Sequence, residues 1–141
     1  DIDPALSPDY AASIDDMQIN EKFSCVLAAE VLEHLPFEKF ELCLREIFKV
    51  SDKFAVISLP DARRTLCNLE IKLPFLPAVR IFIKIPSFKN HRFDGQHYWE
   101  IGKTGYSLES VKNNIIRSGW KIVKSFTPQD VPTKHFFLLE K

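Results

Sequence analysis

The chain has 141 residues, with 19 lysines and arginines against 19 aspartates and glutamates, 45% hydrophobic residues, 4 glycines and 9 prolines. A domain of this size buries about two-thirds of the surface its unfolded chain exposes, and the composition excludes disordered, collagen-like and low-complexity classes. Zero formal net charge argues against a non-specific nucleic-acid binder.

Neutrality hides a split. Residues 1–60 carry 12 acids and 5 bases, residues 61–97 carry 3 and 7, and residues 98–141 carry 4 and 7, giving −7, +4 and +3. Such asymmetry marks segments with different tasks. The cysteines Cys25, Cys43 and Cys67 are odd in number, widely spaced and without a C-x-x-C pair. They read as reduced, mostly buried thiols in a cytoplasmic protein. No run reaches the roughly 20 apolar residues that span a bilayer, and Asp1-Ile2-Asp3-Pro4 does not read as a signal peptide.

In chain order, Tyr10–Ile14 reads as a short strand and Phe23–Ala29 as a buried one. An amphipathic helix follows from Pro36 to Val50, with Phe37, Phe40, Leu44, Ile47 and Phe48 at helical spacing on one face. Phe54–Leu59 is a further buried strand, stopped by Pro60. Ala62–Leu73 has some helical character, while Val79–Ile85 alternates like a strand and also fits a helix through Arg80 and Lys84. Ser107 is a good N-cap for a helix that Gly119 ends. Trp120–Phe126 and His135–Glu140 then form an expected antiparallel pair. The sum is an α/β sheet covered on both faces, with an antiparallel hairpin at its C-terminal edge.

Three runs carry a resemblance. Asp1-Ile2-Asp3-Pro4, the stretch Phe23 to Pro36 with its E-V-L-E-H-L-P ending, and Val56-Ile57-Ser58-Leu59-Pro60 resemble the class I S-adenosylmethionine-dependent methyltransferases. They are similar in particular to the type 11-like branch, whose fourth strand is followed by a V-L-E-H-[LV]-P run. His97 to Gly102 and the helix–glycine–strand of 107–126 resemble that family's last third. The resemblance implies a Rossmann-like, mostly parallel methyltransferase sheet with a C-terminal antiparallel hairpin, and S-adenosylmethionine as cofactor. It also implies that the first strand and its glycine-rich turn are missing, since none of Gly95, Gly102, Gly105 and Gly119 stands where that turn belongs. Residues 1–141 are thus expected to form a single, N-terminally truncated domain, with 61–97 a lid-like insertion.

Methyl transfer from a sulfonium needs binding and alignment more than a conspicuous catalytic set. The resemblance puts Asp1 on the ribose hydroxyls, with Asp3 as an alternative, and Ile2 on the adenine face. Ser13 and Ile14 fall where the family meets the adenine edge, although Asp15 and Asp16 also suit that place or simply cap a turn. Ala28 and Ala29 close the fourth strand beside the methionine part of the cofactor, or are plain core. Glu30, Glu33 and His34 leave the strand together, so His34 is the candidate base, against a purely structural role in the loop. His91, Asp94 and His97 have poor metal-ligand spacing, so no metal is expected. A substrate-side wall with Arg92, Tyr98 and Trp99 fits that segment better.

Residues 61–97 mix seven bases with Phe75, Phe82, Phe88 and Phe93. Such a lid suits a small-molecule or lipid-like acceptor, acidic or phosphorylated, or else binds a partner protein in a non-catalytic scaffold. No nucleic-acid module is recognisable. A sheet short of a central strand is also expected to expose an edge or to form a homodimer through it.

Overall fold

The computed structural model describes residues 1–141. Its main sheet has four strands in the order β1 (Phe23–Ala29), β2 (Ser51–Pro60), β6 (Lys134–Glu140), β5 (Lys121–Phe126). β1 runs parallel to β2, with Val26 opposite Ala55 and Ala28 opposite Ile57. β6 is antiparallel to both β2 and β5, so the last strand inserts between them and three strands point one way. The parallel start and the C-terminal hairpin both match expectation.

Period-two alternation selects the core face. Ala55, Ile57 and Leu59 of β2 and Phe137 and Leu139 of β6 are fully buried on one side of the sheet. Helix α1 (Phe40–Val50) lays Phe40, Cys43, Leu44 and Ile47 on that side, and α2 (Leu108–Arg117) adds Val111 and Ile115. Both helices thus share one core with Trp99, Ile101 and Trp120. The Ser107 hydroxyl accepts the Ser110 N–H at 3.0 Å, and Gly119 takes φ +96° past the last turn. α1 is preceded by a short 3₁₀ turn at Phe37–Lys39, which begins the expected helix one turn early.

Three expectations are corrected. The sheet is covered on one face only, because both long helices belong to the same core, and the opposite face leaves Leu27 70% exposed. Tyr10–Ile14 is not a strand: its stretch contributes to no sheet. Local polar groups win there, with Asp16 N–H on Ser13 O at 3.1 Å and the Ser13 hydroxyl on Asp15. β1 consequently pairs with β2 alone, and its outer edge is free. Finally, Ala62–Leu73 is not helical, and Val79–Ile85 resolves to a strand. They form a separate hairpin of β3 (Arg64–Ile71) and β4 (Val79–Ile85), pairing Asn68 with Phe82 and Glu70 with Arg80.

The hairpin is rooted in the main domain by buried charge. Asp61, just past β2, accepts from Arg63 Nε at 2.9 Å and pairs with Lys84 Nζ at 2.7 Å. Thr127 Oγ1 donates to the same carboxylate at 3.0 Å, and His135 Nδ1 lies 2.8 Å from that hydroxyl. Burial works to raise the Asp61 pKa, but the hydrogen bonds from Arg63 and Lys84 outweigh it and hold it below the usual carboxylate range. Burial, then the Arg63 charge, pushes His135 down to about 4. Gly102 closes against this root at φ +91°, and a Cβ there would sit 2.3 Å from Arg63 Cγ, so only glycine fits.

Candidate functional site

The parallel strands β1 and β2 end side by side, and a cleft of about 750 Å³ opens beyond β1. Asp1, Ile2, Ser13, Ile14, Glu30 and His34 all line it. Six of the residues singled out from sequence, Glu30 among them and drawn from the stretches 1–14 and 30–34, thus share one cavity. The remaining walls come from Tyr10, Met17 and Ile19 among others. Only the apolar Met17 and Ile19 within a polar stretch signalled that contribution.

The chain turns sharply where β1 stops. Glu30 takes φ +53°, a left-handed conformation that disfavours any side chain. It is held by its N–H on Ser58 O at 3.2 Å and by the Ser58 hydroxyl donating to Oε1 at 2.9 Å. Lys134 Nζ stands 3.7 Å from Oε2. A 3₁₀ turn at Leu32–His34 then sends Glu33 inward and His34 outward to the cleft.

Glu33 is fully buried, and neither carboxylate oxygen has a hydrogen-bond partner. Burial pushes its carboxyl up to about 7, and its own backbone N–H offsets part of this without making a hydrogen bond of good geometry. His34 Nδ1 lies 3.1 Å from Gln96 O, and its ring meets His97 edge-on at 5.3 Å. A carbonyl only accepts, so Nδ1 carries the proton and Nε2 is left free. The 91–100 segment is itself well tied: Asp94 accepts the N–H groups of Gln96 and His97 at 2.9 and 2.7 Å. His91 Nε2 donates to His97 O at 2.8 Å, and Tyr98 N–H donates to Glu33 O at 2.8 Å.

The other sequence candidates lie elsewhere. Ala28 is core and Ala29 is exposed on the opposite face of β1. Neither lines the cleft. Trp99 does not form a substrate wall: it is fully buried, donates Nε1–H to Leu35 O at 3.1 Å, and packs edge-on against Phe37 and Phe40. Its indole is the largest side chain available to fill the space between α1 and the 91–102 segment. Arg92 and Tyr98 stay exposed outside the cleft, with Tyr98 against Phe93 at 4.6 Å.

No protein-family model and no curated protein matches the chain. Solved structures do. The glycopeptide N-methyltransferase MtfA, complexed with S-adenosyl-L-homocysteine, superposes at a TM-score of 0.59 with 8% identity, over 93% of this chain and 60% of that one. The 1,6-didemethyltoxoflavin-N1-methyltransferase of Burkholderia thailandensis, with that substrate and S-adenosylhomocysteine bound, gives 0.58 and 11%, over 94% and 49%. An S-adenosylmethionine-dependent methyltransferase of Clostridium acetobutylicum gives 0.56 and 8%, over 93% and 63%. The chain has the methyltransferase fold. It spans 60% of the length of MtfA. In this methyltransferase fold the candidate residues gather at the strand ends, the position where open α/β sheets bind ligands. No helix of the chain is long and apolar enough to cross a membrane.

Proposed function

We propose that the chain belongs to an S-adenosylmethionine-dependent methyltransferase that acts on a small-molecule acceptor and holds its cofactor in the 750 Å³ cleft. One observation carries this reading: Asp1, Ile2, Ser13 and Ile14 meet Glu30 and His34 around one cavity at the strand ends, in a fold whose neighbours MtfA and the 1,6-didemethyltoxoflavin-N1-methyltransferase were solved with S-adenosylhomocysteine.

The residues fit the cofactor. Asp1 Oδ1 accepts the Asp3 N–H at 2.9 Å, which leaves Oδ2 to accept from a ribose hydroxyl. Ile2 and Ile14 offer apolar surface to a purine, and Ser13 offers backbone groups to its edge. When bound, the cofactor supplies a methyl on a sulfonium whose departure leaves a neutral thioether. The protein's part is then to align the acceptor, exclude water and take a proton from a hydroxyl or amine acceptor. His34 is the group placed for that proton, with Nδ1 fixed on Gln96 and Nε2 free.

The lid-like 61–97 segment supports a lipid-like or acidic acceptor less than its composition implied. Arg63 and Lys84 are taken by Asp61, and Arg80 pairs with Glu70 at 3.3 Å. Its exposed apolar side chains, Leu66, Leu69, Val79, Ile81 and Ile83 among them, favour a second reading in which the hairpin docks a partner protein on a non-catalytic scaffold.

Calorimetric titration with S-adenosylhomocysteine separates the two. Applied to the protein with the sequence that naturally flanks these residues, it should show binding that His34→Ala preserves while methyl transfer is lost. Absence of binding there would overturn the enzyme reading.

A further inference from the structure

The corner beside the cleft holds more than a base. Glu33, His34 and His97 each present one ligand-capable atom, and the three atoms lie within 4.8 Å of one another. From these contacts we infer a divalent transition-metal site of the zinc type, built from one carboxylate and two imidazoles.

Three independent features point to a cation. The first is Glu33 itself: a fully buried carboxylate with both oxygens unpartnered has lost its hydration and gained nothing in the protein. A cation between it and the two imidazoles supplies what is missing. The second is the state of the two imidazoles. His34 Nδ1 is held by Gln96 O at 3.1 Å, and His97 Nδ1 faces Glu100 Oε1 at 3.4 Å. Each ring therefore has one nitrogen tied to an acceptor and the other free, the arrangement that orients metal-binding histidines and raises their basicity. The third is the scaffold. His97 is fixed by Asp94 and His91, and Glu33 and His34 sit on one short turn tied to the same segment through Tyr98 N–H.

The geometry is close to a metal's need. Ligand atoms about 2.1 Å from a tetrahedral ion lie about 3.4 Å apart, so the three side chains close by about 1.4 Å at most. Two nitrogens and one carboxylate suit Zn²⁺, Co²⁺ or Fe²⁺ better than Ca²⁺ or Mg²⁺, which prefer all-oxygen shells. Three protein ligands leave a position open to water or to an acceptor oxygen. Sequence spacing hid this set, because it pointed to His91, Asp94 and His97, whereas the fold brings His97 to Glu33 and His34 from 64 and 63 residues away and leaves His91 in support. With the metal in place His34 is a ligand and not a free base. That consequence rests on the methyl-transfer reading; the site itself does not.

The test is equilibrium dialysis of the chain against Zn²⁺ at pH 7.5, with Co²⁺ absorption as the spectroscopic readout. One equivalent should bind, and His97→Ala and Glu33→Gln should each weaken it at least about tenfold, with far-UV circular dichroism unchanged. Glu100→Gln should weaken it less. Replacing Cys25 and Cys67, the two cysteines that are not buried, by serine should leave binding intact, and the Co²⁺ spectrum should lack thiolate charge transfer. No stoichiometric binding, binding that survives both His97→Ala and Glu33→Gln, or binding lost only with the cysteines would each overturn the assignment. Because the readout is the metal, it is unaffected by whether methyl transfer is found.

Discussion

Two carboxylates of this chain are completely buried, and they are treated in opposite ways. Asp61 is surrounded by Arg63, Lys84 and Thr127; Glu33 has no hydrogen-bond partner on either oxygen. The first arrangement answers a buried charge on the spot and does a structural job, rooting the hairpin. The second leaves the demand unanswered next to His34, which lines the cleft, and this is how a site awaiting a ligand differs from a finished joint.

Removing Asp61 should have the largest effect. Asp61→Ala strands the buried Lys84 and the largely buried Arg63 and is expected to cost about 3–5 kcal/mol, measured as the shift in urea-unfolding free energy. A loss under about 1 kcal/mol would mean that the root is dispensable and the contrast false.

Next comes pH, where the two corners oppose each other. His135, faced by Arg63, Asp61, Lys84 and Lys112, titrates near 4 when folded and near 6.5 when unfolded. The unfolded chain binds the extra proton between those values, so stability falls as pH drops from 6.5 to 4, by about 3 kcal/mol. Glu33, faced by Glu30, His97 and Lys134, titrates near 7 when folded against 4.5. Here the folded chain binds the extra proton, so stability falls as pH rises from 4.5 to 7, by a similar amount, about 3 kcal/mol. In the metal-free chain the two nearly cancel. Glu33→Gln should therefore expose stability that rises with pH, and His135→Gln stability that falls. Parallel slopes in the two variants would break the comparison.

Glu33→Met, measured without metal at pH 8, should gain about 1–2 kcal/mol, because an apolar side chain of similar size relieves the unpaired charge. Smallest of all is the surface pair. Arg80→Ala breaks an exposed contact with Glu70 and should change stability by about 0.5 kcal/mol or less.

Periodicity and end signals made much of the fold legible. The stripe Phe40, Leu44, Ile47 fixed α1, Ser107 and Gly119 bracketed α2, and the uninterrupted apolar runs of β1 and β2 announced strands, although only β2 is largely buried as expected and β1 buries Ala28 alone. Where side chains face solvent on both sides, those signals fail. Leu66, Leu69 and Ile71 of β3 are all exposed, so no buried face imposed a period, and a helix read equally well. The single-sided cover of the sheet was hidden for a different reason: Leu27 looks like core in sequence, and only the shared location of α1 and α2 shows that nothing lies over it. At the site, family resemblance named Asp1, Ile2, Ser13 and Ile14 of the cleft but also Ala28 and Ala29, which lie outside it, and nothing in E-V-L-E-H marks Glu33 rather than Glu30 as the buried one. That follows from the left-handed step at Glu30 and the 3₁₀ turn after it.

The hairpin's root also sets how it can be cut, with Asn68 Nδ2 adding a tie from β3 to Gln129 O at 3.1 Å. Its strands are clamped at the Arg63–Lys84 end, while the turn between Leu73 and Pro77 carries a fully exposed Phe75. A protease that severs the peptide bond after Phe75 would leave each half still held, one by β3 leading back to Asp61 and the other by Lys84. The nicked protein would travel as one species in a native gel and separate into two fragments in denaturant, the behaviour of a flap whose tip is free and whose base is a joint.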